Sequence, residues 1–133
     1  MTTALRRRAP LLFLLLAACL CLAAACTGNA ARQTMTLPAM RTAWAAIKVE
    51  ATREATFTQD ANGLAAIEQA DAAITAGTAT AIAAAPWQPV DALAAADIQR
   101  RVDLAEIGPG VAESLREELR LFAQSRSTFA RHP

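Results

Sequence analysis

A chain of 133 residues is long enough for one small domain behind any leader, and its 13 basic and 12 acidic side chains, formal net charge +1, give no excess charge of either sign. No basic stripe interleaved with aromatic residues appears, so nucleic acid is not an expected partner. All three cysteines, Cys19, Cys21 and Cys26, fall in the first 26 residues, so whatever folds after them has no internal disulfide and must hold together by packing.

The chain opens with Arg6-Arg7-Arg8, continues with an apolar run from Leu11, and reaches Cys26 just before polar Thr27-Gly28-Asn29. A basic head resists translocation, the apolar run partitions into a bilayer, and small residues before the cysteine suit a peptidase pocket. These residues resemble the amino-terminal leader of bacterial lipoproteins processed by the lipoprotein signal peptidase. The resemblance covers about the first fifth of the chain. It implies that the cysteine receives a diacylglyceryl group on sulfur and becomes the first residue of the mature protein.

Two cysteines fit. Leu16-Ala17-Ala18-Cys19 carries the favoured Leu three places before the cysteine, but cleavage there leaves Leu20 to Ala25 as a greasy mature start. Ala23-Ala24-Ala25-Cys26 lacks that Leu and leaves an apolar core of ordinary length, Leu11 to about Leu22. Cys26 is the expected lipidation site and Cys19 the alternative; Leu20 is too large a neighbour for Cys21. The competing readings are an uncleaved membrane anchor, for which about 20 apolar residues are needed and the run is short, and ordinary secretory cleavage after Ala25, which leaves Cys26 as a free thiol. The expected layout is a signal peptide over 1–25, a lipidated terminus and tether over 26–36, and a helical domain over 37–133.

Without the three leader arginines the mature part carries 10 basic and 12 acidic residues, net −2. Alanine dominates it, which favours helix and buries little area per residue. A first helix is predicted from Leu37-Pro38, with Met40, Trp44, Ile47 and Ala51 on one face and Arg41, Lys48 and Arg53 turned away. Thr58 to Gly63 reads as a turn, with Asp60 as a cap. A second helix is predicted over about 61–84, with Leu64, Ile67 and Ile74 on one face and Gly77 inside it. Pro86-Trp87-Gln88-Pro89 breaks the chain. A third helix, about 89–106, offers Val90, Leu93, Ala94, Ile98 and Val102 to a core. Gly108-Pro109-Gly110 ends it, Gly108 being suited to a left-handed cap, and a fourth helix over about 109–130 presents Val111, Leu115, Leu119 and Phe122. The fold class expected is all-α, a small three- to four-helix up-and-down bundle.

Catalytic signals are sparse. The single histidine, His132, lies next to the carboxy terminus, and with no cysteine after Cys26 a nitrogen- or sulfur-ligated metal is not expected. Asp60-Ala61-Asn62-Gly63 matches only a fragment of a calcium loop, with its glycine too early and no glutamate at the twelfth position. Glu113, Glu117 and Glu118 with Asp103 and Glu106 read as a solvated, ion-paired face rather than a carboxylate site. Ser114 and Ser125 have no nucleophile elbow around them. No catalytic residue, cofactor or metal is expected.

Trp44 reads as core. Trp87, between prolines, either closes the bundle or stands out as a binding anchor, and Phe129 near the end of the last helix is the other candidate partner contact. The functional expectation is a membrane-anchored lipoprotein of the bacterial envelope, facing the periplasm or cell surface, and acting as a non-enzymatic interaction or accessory protein. Its partners are then the membrane, through the lipid, and another envelope protein. The alternative is a surface lipoprotein carried by a prophage or other mobile element, with an exclusion or lysis role. A small-ligand carrier is disfavoured, because few large apolar residues remain to line a pocket.

Overall fold

The computed structural model describes residues 34–132. The two candidate lipidation sites, Cys19 and Cys26, lie outside them. Thr34–Pro133 forms one compact unit, and its described residues are all-α: α1 (Leu37–Phe57), α2 (Ala61–Ala76), α3 (Ala79–Ala84), α4 (Trp87–Asp103) and α5 (Pro109–Arg131). Four are the long segments expected, and α3 makes the bundle one helix richer than predicted.

The extra helix comes from a cut at Gly77. This residue takes φ 68° and ψ 22°, a left-handed conformation open to glycine at little cost, and its N–H closes on the Ala73 carbonyl. A Cβ there would lie 2.7 Å from Arg41 Nη2. Thr78 then caps α3, its hydroxyl accepting from the Ala81 N–H at 3.2 Å. A glycine cap followed directly by a threonine cap ends one helix and starts another, so the predicted continuous run over 61–84 does not form.

The proline pair acts differently from expectation too. Pro86 is the N-cap of α4 and Trp87 is already helical. Pro89 then sits in the first turn, where backbone N–H groups have no intrahelical partner, so its missing donor costs nothing. At the other end Gly108 is not the left-handed cap; with φ −79° it is the N-cap of α5. The left-handed residue after α4 is Ala105, φ 57°. Ala105 N–H donates to the Val102 carbonyl and Glu106 N–H to Arg101, the paired bonds of a Schellman cap made without glycine. Gln59, φ 55°, closes α1 the same way, with Gln59 N–H on Thr56 and Asp60 N–H on Ala55. Asp60 also caps α2, its carboxylate accepting from the Gly63 N–H at 2.8 Å.

Side-chain contacts give the helix directions. Arg41 reaches the Ile74 carbonyl and Trp44 reaches Asp71, so α1 and α2 form a hairpin. Trp87 lies against Trp44 while Arg53 and Glu54 meet Asp97 and Arg100, so α4 runs alongside α1 in the same sense. Arg116 meets Gln99 and Arg126 meets Asp91, which sets α5 antiparallel to α4. One end of the bundle, the entry end, therefore gathers the starts of α1 and α4, the end of α2, α3 and the end of α5. The far end gathers the close of α1 and α4 and the start of α2 and α5. The Met35 N–H, in the stretch read as tether, donates to the buried Ser125 hydroxyl at 2.7 Å, and Thr36 caps α1.

The core follows the predicted stripes with two exceptions. Met40, Trp44, Ile47 and Ala51 are buried, as are Ile67, Ile74, Val90, Ala94, Ile98 and Phe122, while Leu93, Val102, Leu115 and Leu119 are half-buried. Leu64 and Val111 were expected inside and are exposed. For α5 the buried residues are Ala112, Phe122, Ser125 and Arg126, with Leu119 half-buried beside them, a rotation of one residue that turns Val111 out.

Candidate functional site

Trp87 and Phe129, the two candidate partner contacts, both have partners inside the bundle. The Trp87 ring meets Trp44 edge-on at 5.7 Å between centroids and Phe122 at 5.6 Å, while Trp44 and Phe122 stack at 6.0 Å. The Trp87 indole N–H donates to the Ile82 carbonyl at 2.7 Å, and the Arg126 guanidinium, bound by Asp91, lies 4.5 Å above its ring. Phe129 packs half-buried on the same core. Helix α4 starts at Trp87 and so swings the indole inward, the arrangement of the core-closing alternative. On the other side of the cluster the Trp44 indole donates to Asp71 at 2.8 Å, and Lys48 sits 3.1 Å from the same carboxylate. The indole bond first, and Lys48 second, hold the Asp71 carboxyl below the ordinary carboxylate range.

Farther along α1 a charged layer replaces the apolar one. Asp97 is 0% exposed. It accepts from Arg53 at 2.8 Å and from Arg100 at 2.9 Å, and Arg100 also donates to Glu54 at 2.9 Å while lying 4.3 Å from the Phe57 ring centroid. Glu50, one turn before Glu54, is 6% exposed. Its carboxyl is pushed up to about 7, by burial first and then by the charges of Asp97 and Glu118, against the pull of Arg101 and Arg53. A carboxyl titrating near neutrality is matched to acid-base work, but this one is buried, and Asp97, Arg53 and Arg101 among the charges that act on it are committed to ion pairs. An open groove of about 560 Å³ along α5 is lined by Glu113, Ser114, Glu117, Glu118 and neighbours, and Glu50 is not part of its lining.

The predicted acidic face is ion-paired and hydrogen-bonded in part. Glu117 pairs with Arg120 at 2.6 Å, Glu106 lies 3.8 Å from Arg101, and Asp103 accepts from Gln99. Arg116 bonds Gln99. His132 is exposed beyond the last turn of α5. Among the described residues no group of three or more His, Cys, Asp or Glu is placed to hold a metal, and no helix is long and apolar enough to cross a membrane.

Sequence reasoning missed Glu50, Glu54 and Asp97 as interior groups. The signal was present: Glu50 and Glu54 flank Ala51 on its buried side, and Asp97 continues the Val90, Ala94 steps. Comparison of the chain with family models, with curated proteins and with solved structures finds no match.

Proposed function

We propose that this chain is a lipid-anchored protein of the bacterial envelope whose helical domain is a non-enzymatic interaction or accessory module. The observation that carries the reading is the leader: Arg6-Arg7-Arg8, the apolar run from Leu11, and Ala23-Ala24-Ala25-Cys26 against a polar continuation. A mature chain whose one cysteine is its first residue fits the same reading, because lipid then occupies the only thiol. The domain adds support of a second kind. Its most perturbed carboxyl, Glu50, is buried beside the ion-paired Asp97 and Arg53, and Trp44, Trp87, Phe122 and Phe129 are spent on its own core.

Intact-mass measurement of the membrane form tests this. The expected species begins at Cys26 and carries acyl chains, each methylene contributing about 0.8 kcal/mol of burial, so that detergent and not high salt releases it. Cys26→Ser should accumulate precursor while Cys19→Ser matures normally. A lipidated start at residue 19 moves the site, and a mature form without lipid defeats the reading.

A further inference from the structure

Charge is divided between the two ends of the bundle. Residues 34–49, 72–90 and 119–132, which build the entry end, contain no Asp or Glu. Of the 12 acidic residues, all but Glu68, Asp71 and Asp91 lie on 50–60 and 97–118, toward the far end. Lys48 and Arg126 are answered by Asp71 and Asp91 at the border of the entry end. Among the described residues Arg41 and Arg131 meet carbonyls rather than carboxylates: Arg41 donates to Ile74 and Thr75 at 3.3 and 3.2 Å, and Arg131 to Ser127 at 3.3 Å. The N-termini of α1 and α4 and the C-termini of α2 and α5 meet at this end, with both ends of the short α3, so their macrodipoles oppose one another and the side-chain charges set its sign.

The geometry points to the entry end as a docking face for an anionic phospholipid surface, with Arg41 and Arg131 as its headgroup contacts. The inference rests on the anchored-protein reading for its bilayer. The chain enters the domain at this end, held by the Met35 bond to Ser125, and residues 26–33 reach at most about 28 Å when fully extended. The acidic far end is no obstacle. The 23 residues of α5 span about 34 Å at 1.5 Å per residue, several times the Debye length of about 8 Å at physiological salt. Each cation near an anionic leaflet favours contact about fivefold, so the pair gives roughly twenty-five-fold over a neutral surface.

The test uses the chain from Cys26 onward, whose compact unit contains its whole described core. Its one thiol is coupled to a maleimide phospholipid in vesicles of phosphatidylcholine alone, or of equal parts phosphatidylcholine and phosphatidylglycerol. Chemical coupling supplies the anchor, so the outcome does not depend on cellular lipidation, which the mass measurement judges separately. Hydrogen exchange is then followed along the backbone. On anionic vesicles, amides of 77–84 and 127–132 should slow about fivefold or more, while those of 58–64 and 104–110 stay unchanged. High salt should remove the effect. Arg131→Gln, which alters a contact only within its own helix, should weaken it with melting unchanged. Equal exchange on the two vesicle types, protection at the far end, or the same protection from inorganic phosphate beside neutral vesicles would overturn the proposal.

Discussion

Two layers packed between α1, α4 and α5 solve the same problem by different physics. Around Trp44, Trp87 and Phe122 the helices are held apart by aromatic rings, whose polar edges reach outward to Asp71 and Ile82. Two to three turns along α1, the buried positions are Glu50, Ala51, Glu54 and Ala55, and the space that alanine leaves is crossed by Arg100 bound to Asp97 and Glu54. After Ile47 on α1 and Ile98 on α4 no large apolar residue is buried. Where an alanine-rich sequence runs out of large apolar side chains, long Arg and Glu stems fill the gap and their charged heads bind one another.

The comparison breaks first if the aromatic layer is not the main source of stability. Phe122, with nothing exposed, should cost about 4 kcal/mol when changed to Ala, close to the whole stability expected of a domain this small and thin-cored. Trp87→Ala should cost about 3 kcal/mol. Urea unfolding of the chain from Cys26 measures both. A Trp87→Ala protein that melts normally yet loses a partner would return Trp87 to the role of anchor.

The charged layer is tested by Asp97→Ala. It leaves Arg53 and the inner face of Arg100 without their shared carboxylate, and the expected loss is about 3 kcal/mol, the lower part of the range for a broken buried pair because Arg53 is 41% exposed and Arg100 keeps Glu54. An Asp97→Ala protein as stable as the parent would mean that the layer is solvated and contributes nothing.

These two layers were not equally legible. Trp44, Ile47 and Phe122 announce themselves by apolar spacing, and four long helices follow from it with boundaries within a few residues, except that the second ends at Ala76 rather than about residue 84. Asp97 was hidden because a charged residue on an apolar stripe is read as an interruption, and its two arginine partners lie 44 residues before and 3 after it. The break at Gly77 was hidden for a local reason. Glycine inside a helical pattern marks either a weak helix or a cap, and only the left-handed φ separates them. The aromatic role of Trp87 turned on whether Pro89 permits a helix to start two residues earlier, which position within the first turn decides.

Glu50 sharpens the contrast through pH. Unfolded, its carboxyl loses its proton near 4.5, and folded at about 7. Between those values the folded chain holds one proton more than the unfolded chain, so this residue lowers stability as pH rises through the window and its penalty is level above it. Glu50→Gln should therefore stabilise the domain by about 2 kcal/mol at pH 8, a figure reduced for the solvent that reaches the carboxyl, and by nothing near pH 4. Asp97, Glu118, Arg101 and Arg53 surround the group in both proteins, so the difference between the two melting curves isolates Glu50. A gain independent of pH would place the benefit in packing instead.

The smallest effect comes from a change that touches neither layer and so gives the baseline against which the others are judged. Ala105 closes α4 at φ 57°, where an L side chain costs about 1–2 kcal/mol, while its N–H and that of Glu106 complete the cap. Glycine removes that steric cost and returns part of it as unfolded-chain entropy, about 0.5–1 kcal/mol. Ala105→Gly should thus stabilise by under about 1 kcal/mol, with the pH profile of the parent. Gly77→Ala runs the other way, because its φ is 68° and the added Cβ would meet the Arg41 guanidinium at 2.7 Å. Opposite signs for these two exchanges, read from denaturant midpoints at constant slope, would show that backbone conformation at the caps acts independently of what fills the interior. If Ala105→Gly destabilises instead, the left-handed turn after Leu104 is held by contacts of the Ala105 methyl group, and the far end of the bundle is more tightly specified than its exposed Leu104 and Val111 suggest.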